Sequence, residues 1–394
     1  MSGTTSSSRT ATADTRVPPP AVTASNGAIS LEGVLLRVDR VGALSAASAL
    51  AARKGYPNLY VAERAGRIRQ VTVNHQLDSN GNIRKTDYLI ERSPLLDISR
   101  QLRTGENLGL LGLAFSGDGR QLYVSFTPTD GGLRVDEYTM DDDRVDTRSR
   151  RTILEIDHHT DGAIGGAIAI GPDGFLYVAT GDPSGGPAQD PHSLLGKVLR
   201  VDPQGGGDDQ PYGIPDANPF RDGAAGAPEV WLSGLRDPGS IAFDTRSGDM
   251  WLTDHGETIE EINVLRAPGG PGSAGRGANL GWGRIEGAHG ARTAAPDGHI
   301  APIFEYNRDR GECPLVGGIL YRGKAVPGLN GAYIFGDRCS GVLRGLLAAT
   351  SVILDQRELG IVTGGELGVI ATGPDGEVWL SGAAGELYRV EPGP

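Results

Sequence analysis

The chain of 394 residues has only two cysteines and three methionines, and aromatics make up 6% of it. Two cysteines cannot build a zinc knuckle, and no Cys/His spacing of the metal-binding kind occurs. There is no GxxxxGK[ST] loop, no GxGxxG between a strand and a helix, and no GxSxG elbow, so ATP, nicotinamide and serine-hydrolase chemistry are unsupported. No apolar run approaches the roughly 18 residues that a membrane-spanning helix needs. Basic charge is short as well: 37 Lys and Arg stand against 49 Asp and Glu, a formal net charge of −12. An acidic chain without a basic run argues against nucleic acid or an anionic membrane as partner and suits a small-molecule substrate. Residues 1–28 are polar and Pro-rich and lack the apolar core of a secretory leader. They read as a disordered arm, which leaves open whether the protein is cytoplasmic or has had a leader removed.

What is abundant is glycine, 61 residues, which points to many turns and few long helices. The pattern is clearest over residues 162–203. Ala167–Ile170 is a short apolar run, Gly171-Pro172-Asp173-Gly174 is a turn, and Phe175–Thr180 is rich in strand formers. After a Gly/Pro-rich loop, Lys197–Val201 alternates apolar with basic residues as a half-buried strand does. The unit recurs, each time with an aromatic: LYVAE at Tyr60, LYVSF at Tyr123, LYVAT at Tyr177, MWLTD at Trp251, AYIFG at Tyr333 and VWLSG at Trp379. Copies roughly 45 to 80 residues apart suit four-stranded blades with loops of variable length. The fold expected is therefore all-β, a six-bladed β-propeller over residues 29–394, in preference to an open sandwich or two separate β domains.

Further expectations follow along the chain. Leu31–Val38 alternates as a strand that could close the ring against Glu386–Val390, and Leu44–Ala52 is a small helical candidate. The acidic run Asp141–Asp143 reads as a solvated turn. Long excursions tend to carry function. Gln204–Gly226 is expected to cover a propeller mouth, and Ala267–Pro302 to form a lid or wall, with Trp282 either a binding-face aromatic or a core anchor. Cys313 and Cys339 flank a hairpin that would bring them close, so a disulfide is plausible, as are two free buried thiols.

In order, LYVAERAGRIRQV, GLLGLAF, GGAIAIGPDGFLYVATGD, AQDPHSLLGKVLRVDP, IPDANPF, GLRDPGSIAFDTRSGDMWLTDHGETIEEINVL, ANLGWG, and CPLVGGILYRG with GAYIFGDRCSGVLRGL resemble the soluble quinoprotein sugar dehydrogenases, or glucose/sorbosone dehydrogenase family. Their hedgehog-interacting-protein-like relatives are similar too, above all in the cysteine-bearing tail. The resemblance spans roughly residues 55–390. It implies a six-bladed propeller carrying pyrroloquinoline quinone (PQQ) and calcium at its mouth, where a sugar is oxidised at its anomeric carbon, and an extracytoplasmic location.

Such chemistry needs a base, a cation and positive groups around an anionic cofactor. By resemblance to a GLRNPQG segment, Gly234–Gly239 supplies Arg236 to the cofactor; Asp237 and Gly239 depart from the amides of that pattern. Asn107, in the Glu106-Asn107-Leu108 loop, and Arg322, in LYRG, are further cofactor candidates. Asp254-His255-Gly256-Glu257 stands where the family binds calcium through backbone carbonyls, so Gly256 and Glu257 would be the metal donors. The family's base is a histidine ahead of two glycines, a place held here by Ala163; His159, with His158 second, could restore it from the loop just upstream. Loops bearing Asn107, His159, Arg236, His255 and Arg322 are expected to ring one mouth. Two other functions remain open: a diverged propeller using metal- or histidine-based hydrolysis or isomerisation, and a non-catalytic binding propeller.

Overall fold

The computed structural model describes residues 30–80, 83–105, 107–158, 160, 162–207, 210–288, 290–291, 293–308, 313–361 and 365–393. Six antiparallel sheets form six blades. Their innermost strands are Ala47–Ala52, Leu110–Phe115, Gly165–Ile170, Pro238–Phe243, Leu315–Leu320 and Leu367–Thr372, which pack side by side in a closed ring. In each blade the second strand carries the recurrent segment, for example Leu59–Glu63 in the first and Met250–His255 in the fourth. Among the described residues the only α-helix is Gly186–Gln189, and no helix is long and apolar enough to cross a membrane.

The recurrent aromatic has a packing reason. Strand side chains alternate between faces, so Tyr60 points at the second blade while Leu59 and Val61 point back at the sixth. Tyr60 meets Phe115 at 4.7 Å between ring centroids, Tyr177 meets Phe243 at 4.9 Å, and Trp251 stacks on Tyr333 at 4.8 Å. Six apolar clusters result, one in each cleft between neighbouring blades. The fifth copy is offset by one residue. Ile334 faces forward there, and Tyr333 turns back towards the fourth blade, because a one-residue slip exchanges the faces of a strand.

Ring closure uses both ends of the chain. Leu36–Ala43 pairs antiparallel with Glu386–Pro392 in the sixth blade. The closing strand therefore begins later than Leu31, whose side chain is instead buried between the fifth and sixth blades. The helical expectation at Leu44–Ala52 is corrected: Ala47–Ala52 is the innermost strand of the first blade, paired with Leu59–Glu63. Alanine favours a helix in isolation, but position in the ring overrides that weak preference. Cys313 and Cys339 are joined in a disulfide, with Cα atoms 5.7 Å apart.

Candidate functional site

Each innermost strand starts at one rim of the ring and ends at the other, which separates the two mouths. At the starting rim, a carboxylate at or next to the end of a blade's second strand reaches back to the backbone that leads into the first strand. Glu63 accepts from the Ser45 amide, Asp254 from the amides of Arg236 (2.8 Å) and Asp237 (2.7 Å), and Asp337 from that of Cys313. Buried carboxylates at this rim therefore fix the loops by charge-assisted hydrogen bonds.

The fourth blade gathers the densest chemistry. Arg236 donates through Nη1 to the carbonyls of His255 and Gly256, both at 3.0 Å, and its guanidinium lies 5.5 Å from the Trp282 ring centroid. Its buried Nε has no hydrogen-bond partner. Asp237 accepts from the Gly165 amide at 3.2 Å, tying the third blade's innermost strand to the fourth. His255 Nδ1 is 2.6 Å from the fully buried Glu260 carboxylate. Burial opposes charge on that imidazole, but Glu260, reinforced by Asp237 and Asp254, overcomes it and raises its pKa. Desolvation pushes Asp254 up to about 7 and Glu261 up to about 8; repulsion from Asp237 adds to the first shift, and repulsion from Asp254 and Glu286 to the second.

The wall around this loop comes from the 267–302 excursion. Glu286 accepts from the Thr258 and Ile259 amides, Gly287 donates to Glu261 at 2.6 Å, and the buried Trp282 donates its indole N–H to the Asp182 carbonyl. Trp282 thus anchors the wall and flanks Arg236 together. The other excursion behaves differently. It leaves the third blade at Val201, the rim away from Asp237, and is held there by Arg151, whose guanidinium donates to the Pro203 and Pro211 carbonyls. It does not cover the mouth that holds Arg236.

The sequence candidates divide accordingly. Arg236, Asp237, Gly256 and Glu257 are together. Asn107 is exposed at the start of the second blade's innermost strand, on the same rim. His158 is buried in the loop leading to Gly165, with Nδ1 3.0 Å from the Thr160 carbonyl. The Thr160 amide also approaches Nδ1, at 3.4 Å, while Nε2 is buried without a hydrogen-bond partner. His159 lies outside the described residues. Ala163, at the family histidine's place, is buried in left-handed backbone with φ +52°. Arg322 follows Leu320, at the opposite rim, and its fork grips Asp244 through Nε (2.9 Å) and Nη2 (2.5 Å). It does not ring the mouth with the others.

Three arginines were not anticipated. Arg64 follows the second strand of the first blade and Arg338 that of the fifth, both on the starting rim. Burial lowers the pKa of Arg64, and the charge of Arg338 adds to the effect; neither has a carboxylate partner among the described residues. Arg308, one residue beyond Phe304–Asn307, donates through Nη2 to the carbonyls of Gly256 and Glu257, both at 2.7 Å. The expected calcium donors are therefore already bound to a guanidinium. A hard divalent ion needs such oxygens for itself, so calcium does not fit this loop as it is built. An anionic group does fit the rim, given Arg64, Arg338 and the unpartnered Nε of Arg236. No signal short of the fold could assign Arg64 and Arg338, which lie in different blades.

A family model described as Glucose / Sorbosone dehydrogenase matches residues 49–389. The chain is 30% identical over 317 residues to the hedgehog-interacting protein of Mus musculus, covering 74% of this chain and 41% of that protein; it thus spans less than half the length of that relative. It is 28% identical to an aldose sugar dehydrogenase of Escherichia coli (strain K12), covering 72% and 77%. Solved structures with the same fold include the apo form of the E. coli soluble aldose sugar dehydrogenase (TM-score 0.68, 22% identity, 91% of this chain and 100% of that one). The PQQ-bound aldose sugar dehydrogenase of Streptomyces coelicolor is similar (TM-score 0.66, 22% identity, 90% and 97%).

Proposed function

The chain belongs to the Glucose / Sorbosone dehydrogenase family, and from that premise we propose that it oxidises a sugar or related alcohol at the mouth bearing Arg236, with PQQ as electron acceptor. The observation that carries this reading is the set of cations on that rim, Arg64, Arg338 and Arg236, which form no ion pair among the described residues. A tricarboxylate would satisfy them with charge-assisted bonds. Asp254 and Glu261 do not counter it fully, since their raised pKa values leave them partly protonated near neutrality.

When bound, the quinone supplies a two-electron acceptor. The chain's own contribution is placement and proton handling. Arg64 and Arg338 would hold carboxylates, Arg236 and Trp282 would orient the ring system, and His158, in the loop leading to Gly165, would take the hydroxyl proton of the substrate.

The test is binding first, turnover second. Protein mixed with PQQ should quench its own fluorescence on titration, and Arg64→Ala and Arg338→Ala should each weaken binding by about tenfold or more. With sugars and an artificial acceptor, His158→Ala should lower turnover about a hundredfold with quinone affinity unchanged. Absence of quinone binding by the wild-type protein would overturn the proposal and favour the non-catalytic binding role.

A further inference from the structure

The loop His255–Glu257 turns consecutive carbonyl oxygens inward, with the carboxylate of Glu260 behind them. Such a donor set of hard oxygens is what a divalent cation requires. Here the oxygens are claimed by the chain itself. Arg236 Nη1 bridges the carbonyls of His255 and Gly256, and Arg308 Nη2 bridges those of Gly256 and Glu257. Arg308 Nε lies 3.3 Å from Glu260 Oε1 as an ion pair. We propose that Arg308 is a built-in replacement for the divalent cation at this mouth, so that the loop is held and charged without metal.

The local structure makes the replacement tight. Phe304–Asn307 pairs with Ile259–Ile262 as the outermost strand of the blade, and the Arg308 amide continues that ladder to the Thr258 carbonyl at 2.9 Å. The side chain of the next residue after the strand then folds over the loop. The loop is closely packed behind, since a Cβ at Gly256 would come within 2.1 Å of the Ile259 carbonyl and 2.3 Å of Glu286 Oε1. Glu260 is 0% exposed and also accepts from the Leu315 amide at 3.1 Å, so its charge is fixed beside Arg308. A calcium ion would have to displace the hydrogen bonds of Arg308 and sit next to the permanent charges of Arg308 and Arg236. Guanidinium also leaves the carbonyls at 2.7–3.0 Å from nitrogen, wider than the roughly 2.3–2.6 Å that calcium takes.

The inference stands apart from sugar oxidation, and its test reads metal binding directly. Wild-type protein, Arg308→Ala and Arg308→Gln are stripped with EDTA and their thermal unfolding followed over a calcium chloride series. Removal of the guanidinium takes the Arg308 hydrogen bonds away from the Gly256 and Glu257 carbonyls, leaving Gly256 with Arg236 alone, so the variants should gain a calcium-dependent rise in Tm larger than any shown by the wild-type protein. Arg308→Gln removes the charge but keeps much of the side chain's bulk, and serves if Arg308→Ala does not fold. A calcium response of the wild-type protein as large as that of the variants overturns the proposal, and so does a folded variant with no added response. Quinone binding is scored in a separate titration, so its failure leaves this result standing.

Discussion

Asp244 and Asp254 are both buried, and they bracket one strand, Pro238–Phe243, at its two ends. Burial alone would raise both. At Asp244, the fork of Arg322, the Arg246 amide and the Ser247 hydroxyl overcome desolvation and hold the carboxyl below its usual range. At Asp254 the Arg236 and Asp237 amides and the charge of His255 oppose burial without overcoming it, Asp237 adds repulsion, and the pKa is pushed up. Asp244 is paired with its opposite charge. Asp254 rests instead on backbone amides, and Arg236 beside it on backbone carbonyls, so the Arg236 guanidinium keeps a charge for a ligand, as expected where function accumulates.

The largest way to break this comparison is at the satisfied end. Arg322→Ala should destabilise the fold by about 3–5 kcal/mol in urea unfolding, since it strands the Asp244 charge in the interior. Replacing both partners with apolar residues of similar size should recover much of that loss. If the single change costs nothing measurable, Asp244 is hydrated and the contrast between the rims fails.

A smaller effect is expected at Gly239, which stands where the family pattern has glutamine. A Cβ there would come within 2.5 Å of His255 Nε2, and His255 is held by Glu260. Its φ is not in the left-handed region, so Gly239→Ala in an unobstructed site would stabilise slightly. Here the crowding should instead cost about 1–3 kcal/mol, and urea unfolding decides the sign. A stabilised variant would show that the imidazole moves aside freely.

The recurring segments announced six blades because each must bury an aromatic against its neighbour, and that need repeats in sequence. The carboxylates at or just after their ends, Glu63, Asp254 and Asp337, fix the three loops described above, a role that shows only once the strands are paired. The sequence was less informative wherever partners come from different blades. Arg322 and Arg236 both follow apolar runs, and nothing local distinguishes the one gripped by Asp244 from the one set on carbonyls. Arg308 reaches Gly256 across 52 positions, so the resemblance suggested calcium donors where the fold had already supplied a cation. The Ala47–Ala52 strand was obscured for a related reason, since its composition favours a helix and only the ring imposes a strand.

The smallest predicted effect tests the unpaired rim without altering its shape. Glu261 accepts from the Gly287 amide and from Asn263 Nδ2, while Asn263 Oδ1 is buried without a partner. In Glu261→Gln the new amide can donate to that oxygen once the Asn263 amide turns over, so the hydrogen bonds survive and only the charge is lost. The folded pKa of Glu261 is raised, so the folded state holds a proton that the unfolded state releases from about pH 4.5 upwards. Its stabilising contribution is therefore complete below that pH and is lost as pH rises through about 8. Wild-type stability should decline over this window relative to Glu261→Gln, by at most about 1.4 kcal/mol per pH unit. Because Asp254 titrates with Glu261, the steps belong to the pair. Urea unfolding of both proteins from pH 5 to pH 9 measures the difference; parallel curves would mean that Glu261 is ionised throughout and that this rim is as well compensated as the other.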